Sequence, residues 1–171
     1  MKMRRVWAMP NSSTFDIKPI GEFVKKYLVD SRCSVDPYAR NKVWATHTND
    51  LNPNTAAEHH MDALEFLSML IKDGVRADLI IIDPPYSPRQ MKECYDGIGI
   101  KMKQTDALRG AMMAKRNTLI AQLLLKDGVV LHFGWNTNGV GKKHNFRIEE
   151  IMLVAHGSDH NDTICMAERK L

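Results

Sequence analysis

The sequence predicts a mostly parallel α/β sheet, covered by helices on both faces and finished by an antiparallel hairpin at its C-terminal edge. Three observations carry that expectation. The run Leu79-Ile80-Ile81-Ile82 is apolar without alternation, as in a central strand buried on both faces. Strand-like segments alternate with helix-like ones along most of the chain, the pattern of a parallel sheet with crossover helices. The last two strand-like segments, EEIMLVAHG and DTICMAERK, lie close together in sequence and read as a hairpin.

The elements follow in order. TFDIKPIGEFVKKYL is a loop running into a helix, because Ile20, Phe23, Val24, Tyr27 and Leu28 recur at spacings of three and four, with Thr14 and Asp16 just upstream. SVDPYA is a short strand broken by Pro37, and KVWATHTND is a second strand ending at Asn49 and Asp50. HMDALEFLSMLIKDG places Ala63, Leu64, Leu67, Leu70 and Ile71 on one helical face. Met61 or Asp62 starts that helix and Gly74 stops it. ADLIIIDPPY is the clearest strand. Residues 106–126 form a helix rich in Met, Leu and Ala that ends at Gly128, and VVLHFGW is the strand after it.

Length and composition bound the function. At 171 residues the chain is expected to form a single domain, 1–171, with a substantial core, and 44% hydrophobic against 26% charged residues fits a soluble globular protein. No run approaches the length of a membrane-spanning helix, so no membrane partner is expected. The basic start MKMRRVWAMPNS leads into no apolar signal-peptide core. Cys33, Cys94 and Cys165 are widely spaced and fit the reduced cysteines of a cytoplasmic protein. His59 and His60 are adjacent and cannot share a helical face, while His144, His156 and His160 lack companion cysteines, so no metal is expected. A formal charge of +4 leans toward a polyanionic partner.

DLIIIDPPYS, residues 78–87, carries the chemistry. Proline cannot donate to a sheet ladder, so Pro84 lies at or beyond the strand's end, and Pro84-Pro85 holds the chain extended. Asp83 is then a carboxylate at the carboxyl edge of a parallel sheet. Its side chain and the Pro84 carbonyl are two acceptors, and Tyr86 is a flat surface beside them. Two acceptors and a ring suit an exocyclic amino group on an aromatic base.

Asp83-Pro84-Pro85-Tyr86 resembles the catalytic DPPY motif of the S-adenosylmethionine-dependent amino-methyltransferases, which methylate adenine N6 or cytosine N4. Other segments resemble that family in order, over nearly all of the chain. The resemblance implies a Rossmann-like methyltransferase fold, S-adenosylmethionine as cofactor, and Asp83, Pro84 and Tyr86 as catalytic residues. It implies that TFDIKPIGEF, with Thr14 and Phe15, helps hold the methionine moiety, and that VDPYARN, with Asp36, Pro37 and Tyr38, is the first cofactor loop. Asp50, followed by Leu51, matches the ribose-binding position. Asp62, followed by Ala63, matches the residue that meets the cofactor's adenine amino group. One departure stands out: the family's first loop carries glycine, and here Ala39-Arg40-Asn41 follows Asp36-Pro37-Tyr38.

Basic residues cluster after strand ends, where open α/β sheets place ligands. Arg89, Lys92, Lys101, Lys103, Arg109, Lys115 and Arg116 follow the DPPY stretch, and Lys142, Lys143 and Arg147 follow VVLHFGW. Arg40, Arg89, Lys92, Lys101, Lys103, Lys142 and Lys143 are the candidate nucleic-acid contacts, and residues 87–110 a candidate lid or contact segment. Trp135 is a candidate wall of the base pocket. The leading expectation is adenine-N6 methylation of DNA, with a short or relaxed target sequence or specificity gained through a homodimer or partner. RNA adenine-N6 or DNA cytosine-N4 methylation is the neighbouring alternative. A catalytically inactive nucleic-acid-binding protein, suggested by the glycine-less loop, is the alternative of a different class.

Overall fold

The computed structural model describes residues 1–99, 106–157 and 159–171. Among the described residues seven strands form one sheet: β1 (Lys2–Trp7), β2 (Ser34–Asp36), β3 (His47–Thr48), β4 (Ala77–Ile82), β5 (Leu124–Gly134), β6 (Phe146–Ala155) and β7 (Thr163–Lys170). The α-helices among the described residues are α1 (Lys18–Leu28), α2 (Ala63–Lys72), α3 (Pro88–Asp96) and α4 (Asp106–Leu123). The strand order is β1-β6-β7-β5-β4-β2-β3. Every pairing is parallel except those of β7, which runs antiparallel to both β5 and β6. The expected hairpin is therefore present at that end of the sheet, with β7 seated between β5 and β6.

Burial on both faces explains the apolar run of β4. Leu79 and Ile81 face one core layer, with Ile20, Phe23 and Val24 of α1. Ile80 and Ile82 face the other, with Phe66, Leu67 and Leu70 of α2 and Ile120 and Leu123 of α4. A run serving two cores has no polar positions to alternate with.

The structure departs from the sequence reading at four boundaries. First, the long helix ends at Leu123 rather than near residue 126, and β5 starts at once, with Leu124 paired to Ala77. The register then shifts so that Leu79 meets Val129, and Asp127 in the bulged stretch adopts φ 64°. Second, the strand expected over KVWATHTND shrinks to His47–Thr48. Third, the segment after Tyr86 carries helix α3, because Ser87 caps it by accepting from the Gln90 N–H and Pro88 fits its first turn. Fourth, β1 occupies the border of the sheet, where no strand was expected.

β1 is held there by charge as well as by its ladder. Glu150 of β6 is a buried acid that receives Lys26 and the Tyr27 hydroxyl of α1, the latter at 3.0 Å, with Arg4 of β1 at 3.6 Å. Lys2, Arg4 and Arg5 leave the outer edge charged, a common guard against edge-to-edge pairing. Among the described residues no helix is long and apolar enough to cross a membrane.

Candidate active site

The carboxyl ends of β4, β2 and β3 gather the polar side chains singled out from the sequence. β4 stops at Ile82, and Asp83 emerges half-buried. Its Oδ1 accepts a 2.5 Å hydrogen bond from the Tyr86 hydroxyl, and the Thr14 side chain lies close enough to act on both groups. Burial pushes the Asp83 carboxyl above its ordinary value, opposed by the Tyr86 bond, by the Thr14 hydroxyl and by the charge of Arg40. Burial also raises the Tyr86 phenol, and the neighbouring Asp83 charge raises it further. The Tyr86 backbone N–H donates to Gln90 Oε1 at 2.8 Å, which ties the tetrapeptide to α3. Trp135 stands edge-on to the Tyr86 ring, with centroids 5.8 Å apart.

The loop after β2 lies alongside. Asp36 is buried and accepts the Tyr38 N–H at 2.9 Å, closing a turn around Pro37. Burial raises its carboxyl well above the ordinary range, with the charges of Asp83 and Asp50 adding to the effect. The Tyr38 phenol is raised by burial, opposed by the nearby charge of Arg116 of α4. Arg40 takes the left-handed conformation, φ 50°, at the place where the resemblance leads one to expect glycine. Its N–H donates to Asp50 Oδ2 at 3.2 Å, and Asp50 Oδ1 accepts from the Asn52 N–H at 2.9 Å.

Asp62 is the N-cap of α2, its Oδ1 accepting from Leu64 N at 2.8 Å and Glu65 N at 3.4 Å, with Ala63 as the first helical residue. Leu51 is half-buried beside Asp50. Fully buried Asn49 joins these segments. Its side chain donates to the carbonyls of Pro37 and Met61, at 3.2 and 3.0 Å, and accepts from Met61 N at 3.0 Å. Sequence reasoning used Asn49 only as a strand end; an amide directly before an acid at a strand terminus is the signal that could have marked it.

The other candidates separate. Phe15 is buried against Phe133 and Trp44, with ring centroids 5.1 and 5.7 Å away, so its ring is part of the core next to Thr14. Arg40, Arg89, Lys92, Lys142 and Lys143 are exposed, and Arg89 pairs with Glu93 at 2.8 Å. Lys101 and Lys103 lie outside the described residues, as does the side chain of Arg109. Arg116, one of the basic residues that follow the DPPY stretch, is buried at 7% exposure. It lies inward on α4, where its charge acts on Tyr38. α3 turns back toward the acids: Cys94 feels the charges of Arg40 and Asp50, and Tyr95 that of Asp62.

A second buried network escaped sequence reasoning. Glu168 of β7 accepts from the backbone N–H groups of Val140 and Gly141, at 2.7 and 3.2 Å. His132 Nε2 of β5 stands 3.0 Å from its Oε2, but off the line of a good hydrogen bond. Burial pushes Glu168 upward, yet His132 and the two amides outweigh it and hold the acid below its ordinary value. Asn117, beside Arg116, donates to the Gly139 carbonyl at 2.9 Å. The loop after Trp135 is thus pinned to β7 and α4, the latter also holding the loop after β2.

Chemically, the edge offers carboxylates with acceptor capacity to spare. Asp50 uses one bond on each oxygen, and Asp62 uses only Oδ1 among the described residues. Such a set suits hydroxyl and amino donors of a nucleoside, so these residues fit the cofactor that the resemblance implies. Among the described residues no cluster of His, Cys, Asp and Glu could hold a metal ion.

The sequence matches no protein-family model and no curated protein. Solved structures do resemble the fold. NSun6 from Pyrococcus horikoshii, solved with SFG, superposes with a TM-score of 0.55 at 12% identity, covering 85% of this chain and 50% of that one. SMU.776, named as a methyltransferase and complexed with SAH, gives 0.54 at 12% identity, covering 86% and 48%. The chain spans about half the length of those two proteins. The Escherichia coli protein yhhF, also named as a methyltransferase, gives 0.54 at 11% identity, covering 95% of this chain and 90% of that one. The chain has the Rossmann-like fold of the S-adenosylmethionine-dependent methyltransferases.

Proposed function

We propose that the chain is an S-adenosylmethionine-dependent methyltransferase acting on the exocyclic N6 amino group of adenine in DNA. The observation that carries this reading is the Thr14–Asp83–Tyr86 cluster at the end of β4, beside the acids Asp36, Asp50 and Asp62. Asp50 would accept from ribose hydroxyls and Asp62 from the adenine amino group of the cofactor. Bound there, S-adenosylmethionine supplies an electrophilic methyl group on a sulfonium. The neighbouring solved complexes with SAH and SFG support that choice of cofactor.

The chain's own residues orient the acceptor. Asp83 and the Pro84 carbonyl accept the two N–H bonds of the target amino group, which turns the nitrogen lone pair toward the methyl donor. The Tyr86 ring supports the base, which leaves its stack to be reached. The Tyr86 hydroxyl, bonded to Oδ1, holds the rotamer of Asp83. A carboxyl raised by burial is also suited to hold the proton that the methylated nitrogen gives up.

The left-handed turn at Arg40 favours this reading over an inactive binding module, because the loop keeps a glycine-like backbone without glycine. The exposed Lys92, Lys142 and Lys143 suit nucleic-acid phosphates. The segments after Tyr86 and Trp135 are the surfaces of this chain beside the site that can read base edges, which suits a short or relaxed target, or one extended by a homodimer. Transfer of tritiated methyl to DNA and RNA, followed by nucleoside analysis, tests the proposal. N6-methyldeoxyadenosine from the wild type and loss of label with Asp83→Ala are expected, and full activity of that variant would refute the site.

A further inference from the structure

Arg40 presents a conflict that its backbone alone does not resolve. A residue other than glycine at positive φ is strained by about 1 kcal/mol, yet the loop keeps a long cationic side chain there. One bond holds its backbone and a second fixes where the side chain lies. Its N–H holds Asp50, and its Nη1 donates to the Ser12 carbonyl at 3.0 Å. Arg40 therefore reaches from the acid at the end of β3 to the segment just ahead of Thr14. Its charge is close enough to Asp83 to oppose the burial effect there.

The electrostatics of this wall are one-sided. Asp36, Asp50, Asp62 and Asp83 supply four carboxyl groups. The nearby Lys42 is committed to Asp16, and Lys25 lies over Trp44. Arg40 has no carboxylate within ion-pair distance among the described residues and bonds a neutral carbonyl instead. It is a cation still open to an anion, placed between the ribose end of the proposed cofactor site and the catalytic aspartate.

We infer that Arg40 is a specificity-determining residue that pairs with the α-carboxylate of the cofactor's methionine moiety, taking over through its side chain what a glycine loop provides through backbone. This inference rests on the proposed cofactor reading. S-adenosylmethionine carries two cationic centres, the sulfonium and the ammonium, and a single anionic group. The four acids match the cationic and hydroxyl-bearing parts, while the carboxylate needs a donor that the acids cannot be. The guanidinium supplies a planar pair of N–H groups for it. Ser12 would hold the side chain over the site before the ligand arrives.

Calorimetry with two ligands tests the assignment. S-adenosylhomocysteine and its decarboxylated analogue differ only in the carboxylate. The wild type is expected to prefer the first by about tenfold to a hundredfold, the range of one charge-assisted pair. Arg40→Gln should erase most of that preference by weakening S-adenosylhomocysteine alone, and Arg40→Lys should restore part of it. Thermal unfolding of each variant confirms that the fold is intact. If Arg40→Gln keeps the wild-type preference, the inference is wrong. If it keeps the preference and loses duplex DNA affinity, Arg40 is a phosphate contact instead. A wild type that binds neither compound overturns the cofactor reading itself, and this inference with it.

Discussion

Tyr86→Phe removes the phenol hydroxyl from the centre of the site. The substitution keeps the ring and its contact with Trp135 but deletes the hydroxyl that donates to Asp83 Oδ1 at 2.5 Å. Asp83 has an ordinary value of 3.8 and is raised in the folded protein, so its folded state binds the proton more tightly than its unfolded state. That carboxyl contributes no penalty below its ordinary value, and an increasing one as pH climbs to the folded value. Removing Tyr86's bond raises the folded value further, which extends the penalty to higher pH. Burial and Arg40 act on Asp83 in both forms of the protein and cancel in the comparison.

A bond to neutral Asp83 is worth about 1 kcal/mol and one to its carboxylate about 1.5–3 kcal/mol. The destabilisation by Tyr86→Phe should therefore be larger at pH 8 than at pH 4 by about 1 kcal/mol. With a urea dependence of about 2 kcal/mol per molar, the extra midpoint shift is about 0.5 M. Urea unfolding of both proteins at the two pH values measures it. Equal shifts at both would show that Asp83 does not titrate against this phenol, and the electrostatic account of the site would fail. In the methyl-transfer assay the same variant should move the acid limb of the pH profile upward.

Two further substitutions address the supports of the site. A Cβ on Gly139 would stand 2.0 Å from Glu168 Oε2, so Gly139→Ala must expel Glu168 from its bonds to Val140 and Gly141. A loss of about 3 kcal/mol in denaturant unfolding is expected, and a loss below about 1 kcal/mol would show that the loop yields freely. Asp62 serves two purposes that separate by substitution. Asp62→Ser keeps a capping oxygen for α2, so stability should stay near wild type while S-adenosylhomocysteine affinity falls about tenfold. Asp62→Ala should lose that affinity and about 1 kcal/mol of stability. Undiminished affinity in Asp62→Ser would remove Asp62 from the cofactor site.

What the sequence made legible was the part governed by short-range rules. The β4 run, the proline stop after Asp83 and the Asp62 cap each follow from local chemistry, and each is where the spacing put it. The rest depends on partners distant in sequence. β1 reads as a basic leader because its ladder partner, β6, and the acid that draws in Arg4, Glu150, lie nearly the whole chain away. Arg116 hides in a Met- and Ala-rich helix that gives no hint of a buried cation beneath Tyr38. LLLKDG looks helical until Leu124 finds Ala77, and a register shift spanning residues 125–128 is invisible to periodicity. The glycine-less loop looked like a defect in sequence, whereas Arg40 adopts the backbone that glycine would have supplied.

The position of β7 shapes how the molecule must assemble. β3, β2, β4 and β5 make one ladder and β6 with β1 another, and β7 alone hydrogen-bonds to both. It is the latest strand in the chain and yet an interior one, like a keystone set after both arms of an arch. Until it docks, β5 and β6 expose unpaired edges, and Glu168 is not there to receive the amides of Val140 and Gly141. The β6–β7 side of that closure is a local hairpin, while the β5–β7 side is non-local, the kind of pairing that slows folding and leaves edges open to other chains. The loop after Trp135, held by Glu168, is the part of the molecule that takes its place only when β7 has paired with β5.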